Sequence, residues 1–414
     1  MTNNINKIII ISLICLLIAF SDLVVLDLFL LIAGILIMRS ILLKIILGAL
    51  VIFNVIPGIL ILSGEIFYKS FANLSMFYIT NDVINYINTS ISLCLFSAVL
   101  FDNVFQRNIT FKIPSLPKNR LNFYQSVGFL FSITYFLTFG FSENYGENQF
   151  DYGFDNFTFI LLKIFLTTVA LVTIVQHLYI KQTKKNLAFI LYFILFFGIR
   201  GNRNHIIFII LPLILFLYSH YNYLKFYAYL FFSYIILILV GNFIKFYRGG
   251  KIDLFNLVSW VTDFGIITMI NSYIINKIDK IGDFIYFDIF YGAIINLFPS
   301  IIFNKEGYHR GNASFRELIN SKSDDHGVGF SYVADSIWAF GIIGPAFILF
   351  IILLFLRYFY INGNIFMIYL MVAFFIWTVR MDFAVFVKNI FYSLIIYKLI
   401  IFNVKNQRRL SISL

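Results

Sequence analysis

The stretch Gly198-Ile199-Arg200-Gly201-Asn202-Arg203 sets two guanidinium groups in a turn between the apolar runs 187–199 and 205–219. Each run is roughly 20 Å long as a helix, short of the bilayer's hydrocarbon, so the turn is expected to sit below the membrane surface. An arginine near hydrocarbon costs a few kcal/mol unless it snorkels or meets an anion. Its planar fork suits two phosphate oxygens at once. Two guanidinium groups on a glycine-containing, water-accessible turn therefore make a seat for a lipid pyrophosphate. On the blander view the same arginines reach lipid headgroups as interfacial anchors.

A second set of chemical groups lies late in the chain. The polar stretch 306–326 carries His309, Arg310, Arg316, Glu317, Asp324, Asp325 and His326 ahead of a very apolar helix. Its carboxylates and imidazoles are candidate general bases, the imidazoles favoured by their near-neutral pKa, although most residues of a solvated loop do no chemistry. Asp324-Asp325-His326 is an isolated run without a second ligand cluster at helical spacing, so no metal is expected. Asp335 stands one to two turns into the apolar helix that begins near Gly329. A carboxylate there is either a functional group or half of an ion pair holding two helices together.

The elements that must position these residues are set by the solvent. Of 414 residues, 61% are apolar and 12% charged, with 31 basic and 20 acidic side chains giving +11. Soluble domains are about 25% charged, so a soluble fold and a nucleic-acid partner are excluded and a bilayer is expected. Cys15 and Cys94 lie inside apolar runs with no CxxC spacing and read as inert core thiols. Lys7 followed by 8–20 resembles a signal peptide, but no small-residue cleavage site follows and further spans begin at once, so it reads as a retained first helix.

About twelve transmembrane helices, in a range of ten to fourteen, are expected in a single polytopic all-α membrane domain covering 1–414. The runs are 8–20, 23–38, 41–62, 83–101, 122–142, 157–178, 187–199, 205–219, 226–247, 328–356, 364–380 and 383–402. Arg107, Lys112, Lys118 and Arg120 mark a cytoplasmic loop, and Glu143, Glu147, Asp151 and Asp155 an outer one. Both termini then fall in the cytoplasm. The same count gathers Arg200, Arg203, Arg248, Arg310, Arg316 and Arg380 on the outer side. A large outer loop, 248–327, holds amphipathic stretches at 258–275 and 284–303, read as interfacial or re-entrant helices or as two further spans. No internal repeat or matched pair of broken helices suggests a carrier.

Three separated segments resemble the O-antigen polymerase (Wzy) family of bacterial polysaccharide assembly. The Gly198 to Arg203 turn resembles the family's Gly-x-Arg turn, although a Ser often precedes the arginine there. Gly327-Val328-Gly329-Phe330-Ser331, followed by Asp335, Trp338 and Phe340-Gly341, is similar to the family's Gly-x-Gly-Phe-Ser, acidic residue, aromatic and Phe-Gly pattern, with Asp where Glu is commoner. Arg380-Met381-Asp382-Phe383 resembles the late Arg-x-Asp-Phe element between the last two spans. These motifs cover about a tenth of the chain, and elsewhere the agreement is in hydropathy alone.

The resemblance implies a glycosyltransferase of the bacterial inner membrane that makes O-antigen or capsule. It would move a growing glycan from one undecaprenyl pyrophosphate to the nonreducing end of another lipid-linked repeat unit, on the outer side, without nucleotide sugar, cofactor or metal. A chain-length regulator and a flippase are the expected partners besides the lipid-linked donor and acceptor. Arg200, Arg203 and Arg380 are then expected to hold pyrophosphate, with Arg248 and Arg310 as weaker candidates. Asp335 is expected to be the base or to orient an arginine, with His326 and Glu317 as competing bases. The rival readings are an O-antigen ligase-type transferase and a transporter or flippase of lipid-linked oligosaccharide, whose charges would line a path at mid-membrane.

Overall fold

The computed structural model describes residues 2–63, 79–106, 109–139, 153–199, 203–220, 258–281, 284–298, 308, 309, 311, 314, 330–379, 382–402, 404 and 407–412. The helices in chain order are α1 (Thr2–Ala19), α2 (Val24–Ile37), α3 (Ile41–Leu50), α4 (Ile56–Leu62), α5 (Asn81–Phe105), α6 (Lys118–Phe139), α7 (Gly153–Tyr179), α8 (Lys184–Ile199) and α9 (Ile207–His220). They continue as α10 (Val258–Ile281), α11 (Asp288–Ile295), α12 (Tyr332–Phe340), α13 (Gly344–Ile361), α14 (Ile365–Thr378) and α15 (Phe383–Ile401). The apolar runs read from the sequence become these helices because a backbone in hydrocarbon must satisfy every N–H and C=O within its own segment.

Among the described residues, five helical stretches are long and apolar enough to cross a membrane: Ile41–Leu62, Asn81–Phe105, Ile160–Tyr179, Tyr332–Ile361 and Phe383–Ile401. Four shorter apolar helices accompany them, at Ile5–Ala19, Val24–Ile37, Ile207–His220 and Ile365–Thr378. Leu13, Leu17, Phe29 and Leu36 on α1 and α2, like Phe355 and Tyr358 on α13, project outward and are exposed. Outer faces of this kind exceed the apolar patches a water-soluble protein tolerates and are suited to lipid. The chain is a predominantly helical protein built for a membrane.

The chain divides into two compact units. One comprises Met1–Arg107, Leu257–Tyr358 and Thr378–Lys388. Within it α1 and α2 pack on α5, and α10 packs on α4 and α12. Asp102 on α5 is fully buried and pairs with Lys7 of α1. It also accepts the backbone N–H groups of Arg39 and Ser40, each at 2.9 Å, which closes the otherwise unpaired start of α3. A buried carboxylate is tolerable here because a cation and two amides compensate it.

The other unit comprises Asn108–Asn256, Phe359–Trp377 and Asn389–Leu414. Here α7 packs against α6, α8 and α9. Gln125 donates to Thr173 and Asn186, tying α6 to α7 and α8. This unit departs from the all-α expectation. Strand β1 (Ile109–Pro114) pairs antiparallel with β2 (Gln407–Ile412), with Ile109 opposite Ile412 and Pro114 opposite Gln407. Phe111 and Ile113 are fully buried on one face while Thr110 and Lys112 are exposed, the period-two pattern of a strand. Arg408 donates to the carbonyls of Tyr179 and Ile180, satisfying the end of α7.

Of the two amphipathic stretches left open by the sequence, the first is helix α10, whose Ile267, Ile270, Asn271 and Ile274 are buried. The second contains α11, eight residues long, about 12 Å and too short to cross a bilayer. The run 226–247 lies outside the described residues.

Candidate functional site

Ser331 opens α12, its Oγ accepting the Ala334 N–H at 3.1 Å as an N-terminal cap. That places Asp335 in the first helical turn, fully buried. Both carboxylate oxygens are occupied. Nε2 of His309 donates to Oδ1 at 2.5 Å, and the backbone N–H of Phe383 donates to Oδ2 at 3.0 Å. The imidazole meets the ring of Trp338 edge to face, centroids 5.0 Å apart and planes at 85°. Trp338 is three residues past Asp335 and so shares its helix face.

Two elements hold this pair in place. The His309 carbonyl lies against α11, where a Cβ on Gly292 would come within 1.7 Å of that oxygen, so only glycine admits the approach. Gly311 has φ of +55°, and a side chain there would meet Asp382 Cβ at 2.3 Å. Asp382 itself caps α15, its Oδ1 accepting the Val385 N–H at 2.7 Å. His309 and Gly311 are thus held against α11 and the start of α15 respectively.

Behind the cap runs a buried polar chain. Ser331 Oγ donates to Asn271 Oδ1, and Asn271 Nδ2 donates to Asn54 Oδ1, both at 3.1 Å. Asn54 Nδ2 donates to the Leu50 carbonyl at 3.0 Å. Asn54 lies in a π-helical turn, Val51–Val55, between α3 and α4. Pro57 follows it and has no N–H to continue the regular ladder. The wider turn carries Asn54 inward to α10, and α10 in turn fixes the cap of the helix that bears Asp335.

Burial pulls the His309 pKa down. The negative charge of Asp335, the hydrogen bond to it, and the charges of Asp382 and Asp288 pull it up, and the net displacement is upward from 6.5. A buried, oriented imidazole backed by a carboxylate can take up and release a proton, the arrangement general acid–base chemistry needs. Among the described residues no three His, Cys, Asp or Glu side chains converge in a way that would hold a metal ion.

Of the residues singled out from sequence, Asp335 is at the centre of this cluster. Its described partner is His309, where the sequence left an arginine as the alternative. Arg203 opens a 3-10 turn, Arg203–Ile206, that links α8 to α9. Two residues on, His205 is buried, its ring stacked on Phe197 at 4.0 Å and near Trp377 at 4.5 Å. Arg200, Arg248, Arg310, Arg380, Glu317 and His326 lie outside the described residues. The sequence marked His309 only as one imidazole of a polar stretch, because its partner is 26 positions away with no periodic pattern between them. Asp382 was visible as part of Arg380-Met381-Asp382-Phe383, but its capping role was not. Compared with known proteins, the chain matches no family model, no curated protein and no solved structure.

Proposed function

We propose that this chain is a polymerase of undecaprenyl-pyrophosphate-linked oligosaccharide repeat units. It works on the outer side of a bacterial cytoplasmic membrane, crossed by about twelve helices with both termini inside. The observation that supports this reading best is the hydrogen bond from Phe383 N–H to Asp335. It joins two of the three segments whose motifs resemble O-antigen polymerases, although they are 48 positions apart. A tie between the acidic helix and the Arg-x-Asp-Phe element is expected if both serve one site.

Glycosyl transfer from a lipid pyrophosphate needs little more than this. The leaving group is an anion whose developing charge arginines can stabilise, and the acceptor hydroxyl must lose a proton. Arg203, Arg200 and Arg380 take the pyrophosphates in this proposal, and the cluster around Asp335 supplies the proton acceptor. Arg248 and Arg310 are further pyrophosphate candidates, Glu317 and His326 further bases.

Arg203→Ala and Arg380→Ala are expected to remove long glycan chains from cells that depend on this protein, with the variants still present in the membrane. Lysine at either position should restore chain length only in part, because an ammonium cannot grip two oxygens in one plane. Gel profiles of the surface polysaccharide test this, and normal chain lengths in both alanine variants would remove the assignment.

A further inference from the structure

We infer that His309, through Nδ1, is the general base that removes the proton from the acceptor hydroxyl, with Asp335 as the positioning carboxylate behind it. This rests on the glycosyl-transfer reading above and names the base within it.

Asp335 is poorly placed to be the base itself. It is fully buried and both oxygens are engaged, by His309 and by the Phe383 amide. Taking a substrate proton would neutralise the carboxylate and weaken the acceptor on which both bonds depend. His309 is better placed. Its Nε2–H is committed to Asp335, which fixes the tautomer and leaves the lone pair on Nδ1. Among the described residues Nδ1 has no hydrogen-bond partner, and Trp338 and Gly292 fix the ring and the backbone that carries it. A carboxylate holding an imidazole in one tautomer, so that its far nitrogen can accept a proton, is a recurring catalytic arrangement.

The step balances. The acceptor oxygen bonds to the anomeric carbon of the donor glycan while the bond from that carbon to the pyrophosphate oxygen breaks, its electron pair staying with the pyrophosphate. The hydroxyl proton passes to Nδ1, and the resulting imidazolium is stabilised by Asp335 on α12 and by the charges of Asp382 at the start of α15 and Asp288 on α11. Release of that proton to water resets the site.

The test is the initial rate of glycan transfer against pH, using full-length protein in liposomes with its undecaprenyl-pyrophosphate repeat unit. Wild type should gain rate as pH rises past 6.5, because only the neutral imidazole accepts a proton. His309→Gln should lose at least about 100-fold and the pH limb with it. In Asp335→Asn the amide must offer its oxygen to the Phe383 N–H and its NH2 to Nε2. That protonates Nδ1, the wrong tautomer, so rate should fall at every pH. Asp288→Asn changes an exposed side chain and leaves every described hydrogen bond of the cluster intact. It should move the limb to lower pH, a shift that a structural role for His309 would not produce. A His309→Gln protein at wild-type rate, or an Asp288→Asn limb that stays in place, would overturn the assignment while leaving glycosyl transfer standing. Wild-type protein that transfers no glycan would remove the functional reading and this assignment together.

Discussion

Asp335 combines two demands in one carboxylate. It neutralises an imidazole from a segment earlier in the chain and anchors the first amide of α15. Removing one side of a buried, hydrogen-bonded pair leaves the other unsatisfied, typically at about 3–5 kcal/mol. Asp335→Ala is therefore expected to lower the thermal unfolding midpoint of the detergent-solubilised protein clearly, and more than Asp335→Asn, which keeps an acceptor for the Phe383 N–H. An unchanged midpoint in Asp335→Ala would mean the contact carries no stability. The sign of the pH effect follows from His309. Its pKa is raised on folding, so the pair's contribution is complete below pH 6.5 and fades as pH rises through the folded value. How far sequence reaches is plain at these two residues. Asp335 stands out because a charge in an apolar helix is expensive wherever it is, whereas His309 looks like any loop histidine until the fold supplies its partner.

Helix α12 is fixed at its start by a serine cap and a chain of asparagines, and this arrangement can be challenged without touching Asp335. Ser331→Ala removes both the cap and the donor to Asn271, and the cap alone is worth about 1 kcal/mol. Gly292→Ala should have the larger effect on function, because its methyl would overlap the His309 carbonyl and displace the imidazole. Loss of glycan transfer in Gly292→Ala with the protein still folded in the membrane is the expected result, and wild-type transfer would show that the close approach is dispensable. The helices were largely legible in sequence. The run expected at 83–101 appears as Asn81–Phe105, and the run at 41–62 appears at the same bounds but broken by a π turn. The β1–β2 ladder was not read, although Ile109, Phe111 and Ile113 alternate with polar residues. The segment is short and basic, and its partner strand lies almost 300 positions later, at the other end of the chain.

Among the described residues, five long apolar helices, four shorter ones and their outward-facing leucines and phenylalanines make the bilayer the solvent of this fold. That much was dictated by composition, since a chain with 12% charged residues cannot cover itself for water. The candidate site was legible only as separated fragments, because the acidic helix and the Arg-x-Asp-Phe element are joined by a tertiary hydrogen bond and not by spacing. The central claim is that these fragments serve polymerisation of a lipid-linked glycan. Its most direct test uses purified protein in liposomes with its undecaprenyl-pyrophosphate repeat unit as the sole substrate, with products resolved by length on a gel. A ladder formed without nucleotide sugar or added metal is the predicted result. Folded protein that yields no ladder but moves the lipid between leaflets would contradict the claim and make the arginines a binding site on a transport path.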